Sequence, residues 1–198
     1  MPIIDFWFSI GSTYTYLSVM RIEQVEKQTG VRFVWKPFNV RVVMIEMNNV
    51  PFVNKPAKAA YMWRDIERRS QMRGLSPKLP APYPLAELER ANRVAIVGAA
   101  EGWCPAYVRA SYRRWIEEGL PAGNEPNISQ SITEAGADVE DVLARADADE
   151  AVAGLVDATN QAKSLGIFGS PTFVVGKEIF WGDDRLEDAI SWKNRQGK

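Results

Sequence analysis

A proline at the mouth of a short apolar run constrains this chain more than any other residue. Phe168-Gly169-Ser170-Pro171-Thr172-Phe173-Val174-Val175 ends one helical pattern, turns through Gly-Ser-Pro and opens a β run. Gly176-Lys177 then turns into Glu178-Ile179-Phe180-Trp181, and two short runs across a two-residue turn containing Gly read as a tight hairpin. Pro171 has no N–H to give a sheet, so it is expected at a strand's first residue. A cis Ser170–Pro171 bond would turn the N–H and C=O of Ser170 outward, free to pair with an extended peptide. The alternative is an ordinary turn ahead of a hairpin.

The N-terminal end supplies the complementary half. Ile3 to Phe8 is apolar at nearly every residue and reads as a buried strand. A turn over Ser9 to Thr13 leads into a helix predicted from Tyr14 to about Thr29, buried at its start, wet at its end and stopped by Gly30. Val31 to Lys36 follows as a strand ended by Pro37. This β-α-β order favours a parallel pair with a right-handed crossover.

Between about Val40 and Ala148 the periodicity is helical and no good strand is found. Helices are predicted over Lys58–Arg73 and Leu85–Ala100, the latter with a small-residue stripe of Leu88, Ala91, Ala95 and Gly98. The prolines at 77, 80, 82 and 84 make Leu75 to Pro84 an extended segment. Val108, Ser111, Tyr112, Trp115 and Ile116 mark an amphipathic helix. Asp138 is a fair N-cap for another. Val152, Leu155, Val156, Thr159 and Ala162 form a further inward face closed by Gly166, and the last helix carries Leu186 and Ile190 four apart. A β-α-β half joined to a β-β-α half is the thioredoxin-like plan. The expected organisation is an α/β, thioredoxin-like domain from residues 1–39 and 149–198, with 40–148 inserted as a helical domain.

Composition excludes several chemistries. The 198 residues carry a net charge of −1, so no basic excess exists to displace counterions and no nucleic-acid partner is expected. No apolar run approaches the ~20 residues of a membrane span, so no membrane partner is expected. The start Met-Pro-Ile-Ile-Asp lacks a basic region and leads straight into a strand pattern, so a cytoplasmic protein without a secretory leader is expected. Cys104 is the only cysteine, which rules out an internal disulfide cycle. There is no histidine, which removes Ser-His and Cys-His pairs and the usual zinc sets, and no metal is expected. Chemistry falls to hydroxyls, carboxylates, Lys, Arg, backbone dipoles or a borrowed group.

Three motifs, in this order, resemble one family. Phe6-Trp7-Phe8-Ser9-Ile10-Gly11-Ser12-Thr13-Tyr14-Thr15-Tyr16-Leu17 is similar to its strand, Ser and Tyr-Leu helix; Phe168 to Phe173 to its cis-proline motif; and Phe180-Trp181-Gly182-Asp183-Asp184-Arg185-Leu186 to its glutathione-binding segment. The chain resembles the 2-hydroxychromene-2-carboxylate isomerases and kappa-class glutathione transferases, which share a DsbA-like thioredoxin fold. The likeness covers both ends well and the insertion weakly.

The resemblance implies that Ser12 is the catalytic serine, in the place of a thioredoxin's redox cysteine. It implies glutathione as cofactor, held by Ser12, Asn54, Ser170, Pro171, Asp183 and Asp184. The Ser170 backbone would pair with the cysteinyl part, and the two aspartates would face the γ-glutamyl ammonium. It further implies a homodimer that isomerises a small aromatic substrate in aromatic hydrocarbon catabolism, 2-hydroxychromene-2-carboxylate to the ring-opened trans-o-hydroxybenzylidenepyruvate. Thr13 stands where the family often has Pro, and Ser9 where an acidic residue is common. From the residues alone, Ser12 or Thr13 reads equally as an N-cap, the aspartates as caps of the last helix, and Asn54 as a plain loop residue. Trp63 and Trp181 are candidates to line an aromatic pocket, Lys58 and Arg64 to bind a substrate carboxylate, and Cys104 reads as an inert packed thiol. Two other functions fit the pattern: a kappa-like transferase conjugating electrophiles, and a non-catalytic module binding extended peptides at Pro171.

Overall fold

A computed structural model describes residues 2–49, 52 and 54–196. Four strands, β1 (Ile3–Phe8), β2 (Arg32–Pro37), β3 (Thr172–Val175) and β4 (Glu178–Trp181), form one sheet in the order β2-β1-β3-β4. β1 is parallel to β2, with Ile3 opposite Arg32 and Phe8 opposite Pro37. It is antiparallel to β3, which is antiparallel to β4. Pro171 directly precedes β3, where its missing N–H removes no ladder bond, and the Ser170–Pro171 peptide is cis.

β1 is central and covered on both faces, which explains its unbroken apolar run. Ile4, Phe6 and Phe8 point into the larger core cluster, and Trp7 points into a second one with Phe38, Val40, Val43, Ile167 and Val174. Phe6 lies 4.9 Å from Trp35 and 5.3 Å from Phe173, ring centre to ring centre, and so ties three strands together.

The expected helix over Tyr14–Thr29 is two helices, α1 (Thr15–Val19) and α2 (Ile22–Thr29). Neither Gly nor Pro marks the break. At Arg21 the backbone swings to φ −119°, and its guanidinium reaches Asp183 and Glu187 across the fold. The helical block holds α3 (Val40–Glu46), α4 (Pro56–Gln71), α5 (Leu88–Glu101), α6 (Cys104–Arg113), α7 (Asn127–Glu134) and α8 (Val139–Ala146). Asp138 caps α8 by accepting the Asp141 N–H at 2.9 Å. The small-residue stripe of α5 lets Trp103 close in; a Cβ on Gly98 would meet its ring at 2.7 Å. After α6 the chain widens into one π turn, Arg114–Glu118, which keeps Trp115 and Ile116 buried.

Two helices complete the fold, α9 (Asp149–Ser164) and α10 (Leu186–Gln196). On α9, Leu155, Thr159 and Ala162 face inward as expected, but Val152 and Val156 are exposed. Ala151 takes the inward place one turn before Leu155, and the two valines flank that face beside Asn39 and Val42.

Phe6→Ala is expected to lower stability by about 3–5 kcal/mol, the usual cost of emptying a buried aromatic site. Urea unfolding followed by tryptophan fluorescence checks this. A loss under about 1 kcal/mol, roughly one buried methylene, would mean that the strands are held together elsewhere.

Candidate active site

The site grows from the end of β1. Residues Ser9 to Ser12 leave the sheet before α1 begins, so their peptide groups need partners outside the ladder. Ile10 gives its N–H to Asn92 Oδ1 at 2.9 Å, and its carbonyl accepts from Asn92 Nδ2 at 2.9 Å. The Tyr112 hydroxyl shares its proton between the carbonyls of Ser9 (2.8 Å) and Ser12 (3.0 Å). Asn92 on α5 and Tyr112 on α6 are both fully buried. Gly11 has φ +124°, and a Cβ there would meet Leu88 Cδ1 at 2.2 Å, so only glycine passes.

Ser170 meets this loop from the other half of the sheet. Its Oγ accepts the Ser9 N–H at 2.9 Å and bonds Thr15 Oγ1 at 2.8 Å. Its carbonyl accepts the Ser12 hydroxyl at 2.7 Å. Ser12, Ser170 and Pro171 are therefore brought together, with Ser12 half-buried. Thr13 donates its hydroxyl to Met62 Sδ at 3.1 Å, so it does not cap α1 through the side chain; α1 has no side-chain cap bond.

The two aspartates part company. Asp183 is buried, and its carboxylate accepts from Ser18 Oγ (2.9 Å), Arg21 Nε (3.0 Å), Arg69 Nη2 (2.6 Å) and Arg73 Nη2 (2.8 Å). Arg21 also binds Glu187. Burial lowers the Arg73 pKa against the pull of Asp183, with Arg21 and Arg69 adding to the fall, and its Nη1 has no partner among the described residues. Asp184 is exposed and, among the described residues, forms its ion pair with Arg185, at 3.0 Å. Asn54 lies exposed on the loop before α4, in left-handed backbone at φ +56°, a conformation Asn tolerates. Trp181 packs on Phe168 beside Ser170, and a Cβ on Gly169 would meet its Nε1 at 2.3 Å.

Arg64 binds Glu67 at the surface and Lys58 is exposed. Cys104 is fully buried, and burial pushes its thiol far above the ordinary range. Sequence reasoning missed Thr15, Asn92, Tyr112 and the arginine trio. Asn92 stood in plain view as the one polar residue inside the apolar stripe of α5. Arg69 near the end of α4 and Arg73 in the turn after it, like charges four apart, also called for an acid between them.

A serine hydroxyl just ahead of the first helix, donating to the carbonyl of the residue before a cis-proline, makes a thioredoxin-fold site without redox cysteines. The chain matches the DSBA-like thioredoxin domain over residues 3–190, and it belongs to that family. It is 24% identical over 186 residues to 2-hydroxychromene-2-carboxylate isomerase of Sphingobium xenophagum, covering 93% of this chain and 94% of that protein. It is also 24% identical to glutathione S-transferase kappa 1 of Caenorhabditis elegans, over 94% and 88% of the two chains. A solved 2-hydroxychromene-2-carboxylate isomerase superposes with a TM-score of 0.86 at 26% identity, covering 98% of this chain and 97% of that one. No helix among the described residues is long and apolar enough to cross a membrane.

Removing one partner of a buried ion cluster typically costs about 3–5 kcal/mol. Asp183→Asn should therefore lower the urea midpoint sharply, while Asp184→Asn leaves it unchanged. Equal midpoints would contradict the structural role given to Asp183.

Proposed function

We propose that this protein is a glutathione-dependent isomerase interconverting 2-hydroxychromene-2-carboxylate and trans-o-hydroxybenzylidenepyruvate. The observation that carries the reading is the Ser12 hydroxyl set 2.7 Å from the Ser170 carbonyl. The pair is a donor and an acceptor, the two groups that a cysteinyl thiolate and its own N–H require. Similarity to isomerases over nearly the whole chain supports it. The donor set suits glutathione: a hydroxyl for sulfur, a backbone carbonyl for the cysteinyl N–H, an exposed carboxylate at Asp184 for the ammonium, and Asn54 for the remaining backbone. Asp183, buried under its arginines, positions the segment that carries Asp184.

When bound, glutathione supplies a thiolate that adds to a conjugated carbon, lets the former double bond rotate and leaves again unchanged. The protein's part is to hold that sulfur ionised. A free thiol titrates near 8.5, and bringing it to about 6.5 needs about 2.7 kcal/mol. A hydroxyl bonded to a charged acceptor supplies ~1.5–3 kcal/mol, and a helix N-terminus ~0.3–1 kcal/mol. The two overlap yet suffice together. In the free protein the Ser12 proton rests on the Ser170 carbonyl. Turning it toward sulfur frees that carbonyl for the cysteinyl N–H, so each bond lost is replaced.

The same reading makes residues 40–148 an inserted helical domain whose Asn92 and Tyr112 fix the serine loop, and makes the protein a cytoplasmic homodimer. A monomeric mass in solution would contradict the dimer. Kappa-class transfer is the second reading, favoured by the similarity to the nematode enzyme. A stable thioether formed from an aryl halide, with no isomerisation, would select it.

The chain has no histidine, and burial removes Cys104 from the neutral range. Absorbance of the bound thiolate should therefore follow one ionisation near neutrality, that of the ligand. In Ser12→Ala it should move up by about one unit or more, the equivalent of ~1.4 kcal/mol. An unmoved ionisation in Ser12→Ala, or no binding of millimolar glutathione to wild type, overturns the reading.

A further inference from the structure

The residues on either side of Ser12 are each held by a different wall. Ser9 Oγ accepts the Val40 N–H at the start of α3, 3.3 Å. Gly11 lies against Leu88 at the start of α5. Thr13 bonds Met62 on α4. Arg41 and Trp63 follow Val40 and Met62 directly, and the Tyr83–Leu85 segment lies three to five residues ahead of Leu88. They contact one another: Arg41 Nη2 donates to the Leu85 carbonyl at 2.7 Å, and Trp63 and Phe52 each meet the Tyr83 ring edge-on at 6.0 Å. All four side chains are half-buried.

Arg41 stands out among them. Most arginines of this chain answer a carboxylate, but Arg41 makes no ion pair among the described residues, and its one hydrogen bond goes to a neutral carbonyl. Tyr83 feels its charge: burial raises the phenol pKa and the Arg41 guanidinium pulls it back. The Tyr83 hydroxyl makes no hydrogen bond among the described residues either. A half-buried guanidinium with unused donors loses hydration without compensation unless an anion arrives. Beside it stand three aromatic faces.

We infer that Arg41 is a specificity-determining residue that binds the carboxylate of a flat aromatic acid, whose ring lies among Phe52, Trp63 and Tyr83 next to Ser12. The inference deepens the isomerase reading and rests on it for the identity of the acid. The aromatic cluster favours this ligand over either carboxylate of glutathione, which has no ring. A planar guanidinium also suits a carboxylate better than Lys58, which is exposed on the outer face of α4.

The test needs neither glutathione nor turnover. Chromone-2-carboxylate, an unreactive acid of the same shape, is titrated into the protein by calorimetry and by quenching of tryptophan fluorescence, with neutral chromone as the control. Wild type should prefer the acid by about tenfold to a hundredfold, or ~1.4–2.8 kcal/mol. Arg41→Met should abolish the preference without weakening chromone, Arg41→Lys should restore part of it, and Trp63→Phe should remove most of the quenching. Unchanged preference in Arg41→Met, or an equal loss for both ligands in a variant whose circular dichroism matches wild type, overturns the assignment. A fall in glutathione affinity with no change for the acid would instead place Arg41 on glutathione. Selective acid binding by a wild type that fails to bind glutathione would keep the carboxylate site and sink the isomerase reading.

Discussion

Everything at the site depends on satisfying four peptide units that have left the sheet. Ser9 to Ser12 turn back on themselves, with the Ser12 N–H on the Ser9 carbonyl at 3.1 Å, and the sheet ladder pairs none of their other inner polar groups. Each unpaired buried group would cost roughly 1–3 kcal/mol. Asn92 answers both groups of Ile10, Tyr112 answers two carbonyls, and Ser170 answers the Ser9 N–H. The helical block therefore does more than cover the sheet: two of its buried side chains are the templates on which the serine loop is cast. A loop fixed through its backbone leaves the Ser12 side chain with only one competing attachment, the Ser170 carbonyl.

The second organising charge lies behind that loop. Three guanidinium groups converge on Asp183, and Glu187 takes part of the charge of Arg21. Arg21 comes from the α1–α2 junction, Arg69 from α4, Arg73 from the turn after it, and both acids from the segment after β4. One buried carboxylate thus locks both ends of the chain to the inserted helices. Its placement explains why α1 stops after five residues: continuing the helix would carry Arg21 away from the carboxylate that its charge requires.

Local patterns were readable in the sequence, and long-range exchanges of hydrogen bonds were not. β1, the hairpin and the position of Pro171 follow from an unbroken apolar run, turn chemistry and a missing N–H, all of which act within a few residues. The meeting of Ser12 with Ser170 was implied by the family resemblance, which put both at one glutathione site. The break at Arg21 was invisible, because no residue there disfavours helix and its cause lies 162 residues away. The grips of Asn92 and Tyr112 span 82 and 103 residues, and a buried Tyr in an amphipathic face looks the same whether or not its hydroxyl has a partner. Val152 and Val156 misled for the opposite reason: apolar residues need not be inside. Asp183 and Asp184 are adjacent in sequence and chemically identical, and only the three arginines separate one from the other.

In the role proposed for it, the Ser12 hydroxyl activates a thiol without carrying a charge of its own. A cationic side chain at the end of β1 would have to be stripped of water whenever the site is empty, at several kcal/mol for an unpaired charge. The neutral Ser12 hydroxyl avoids that cost by resting on a carbonyl that the fold already presents. This chain instead keeps its buried cations where a permanent anion, Asp183, is built in. Among the half-buried arginines, Arg41 is the exception, with no acid partner among the described residues. The same energetics that favour a neutral hydroxyl for the proposed thiolate make an unanswered guanidinium costly unless it is used. That contrast between answered and unanswered charge, within one shell of helices around one loop, is the physical ground for assigning the two groups different ligands.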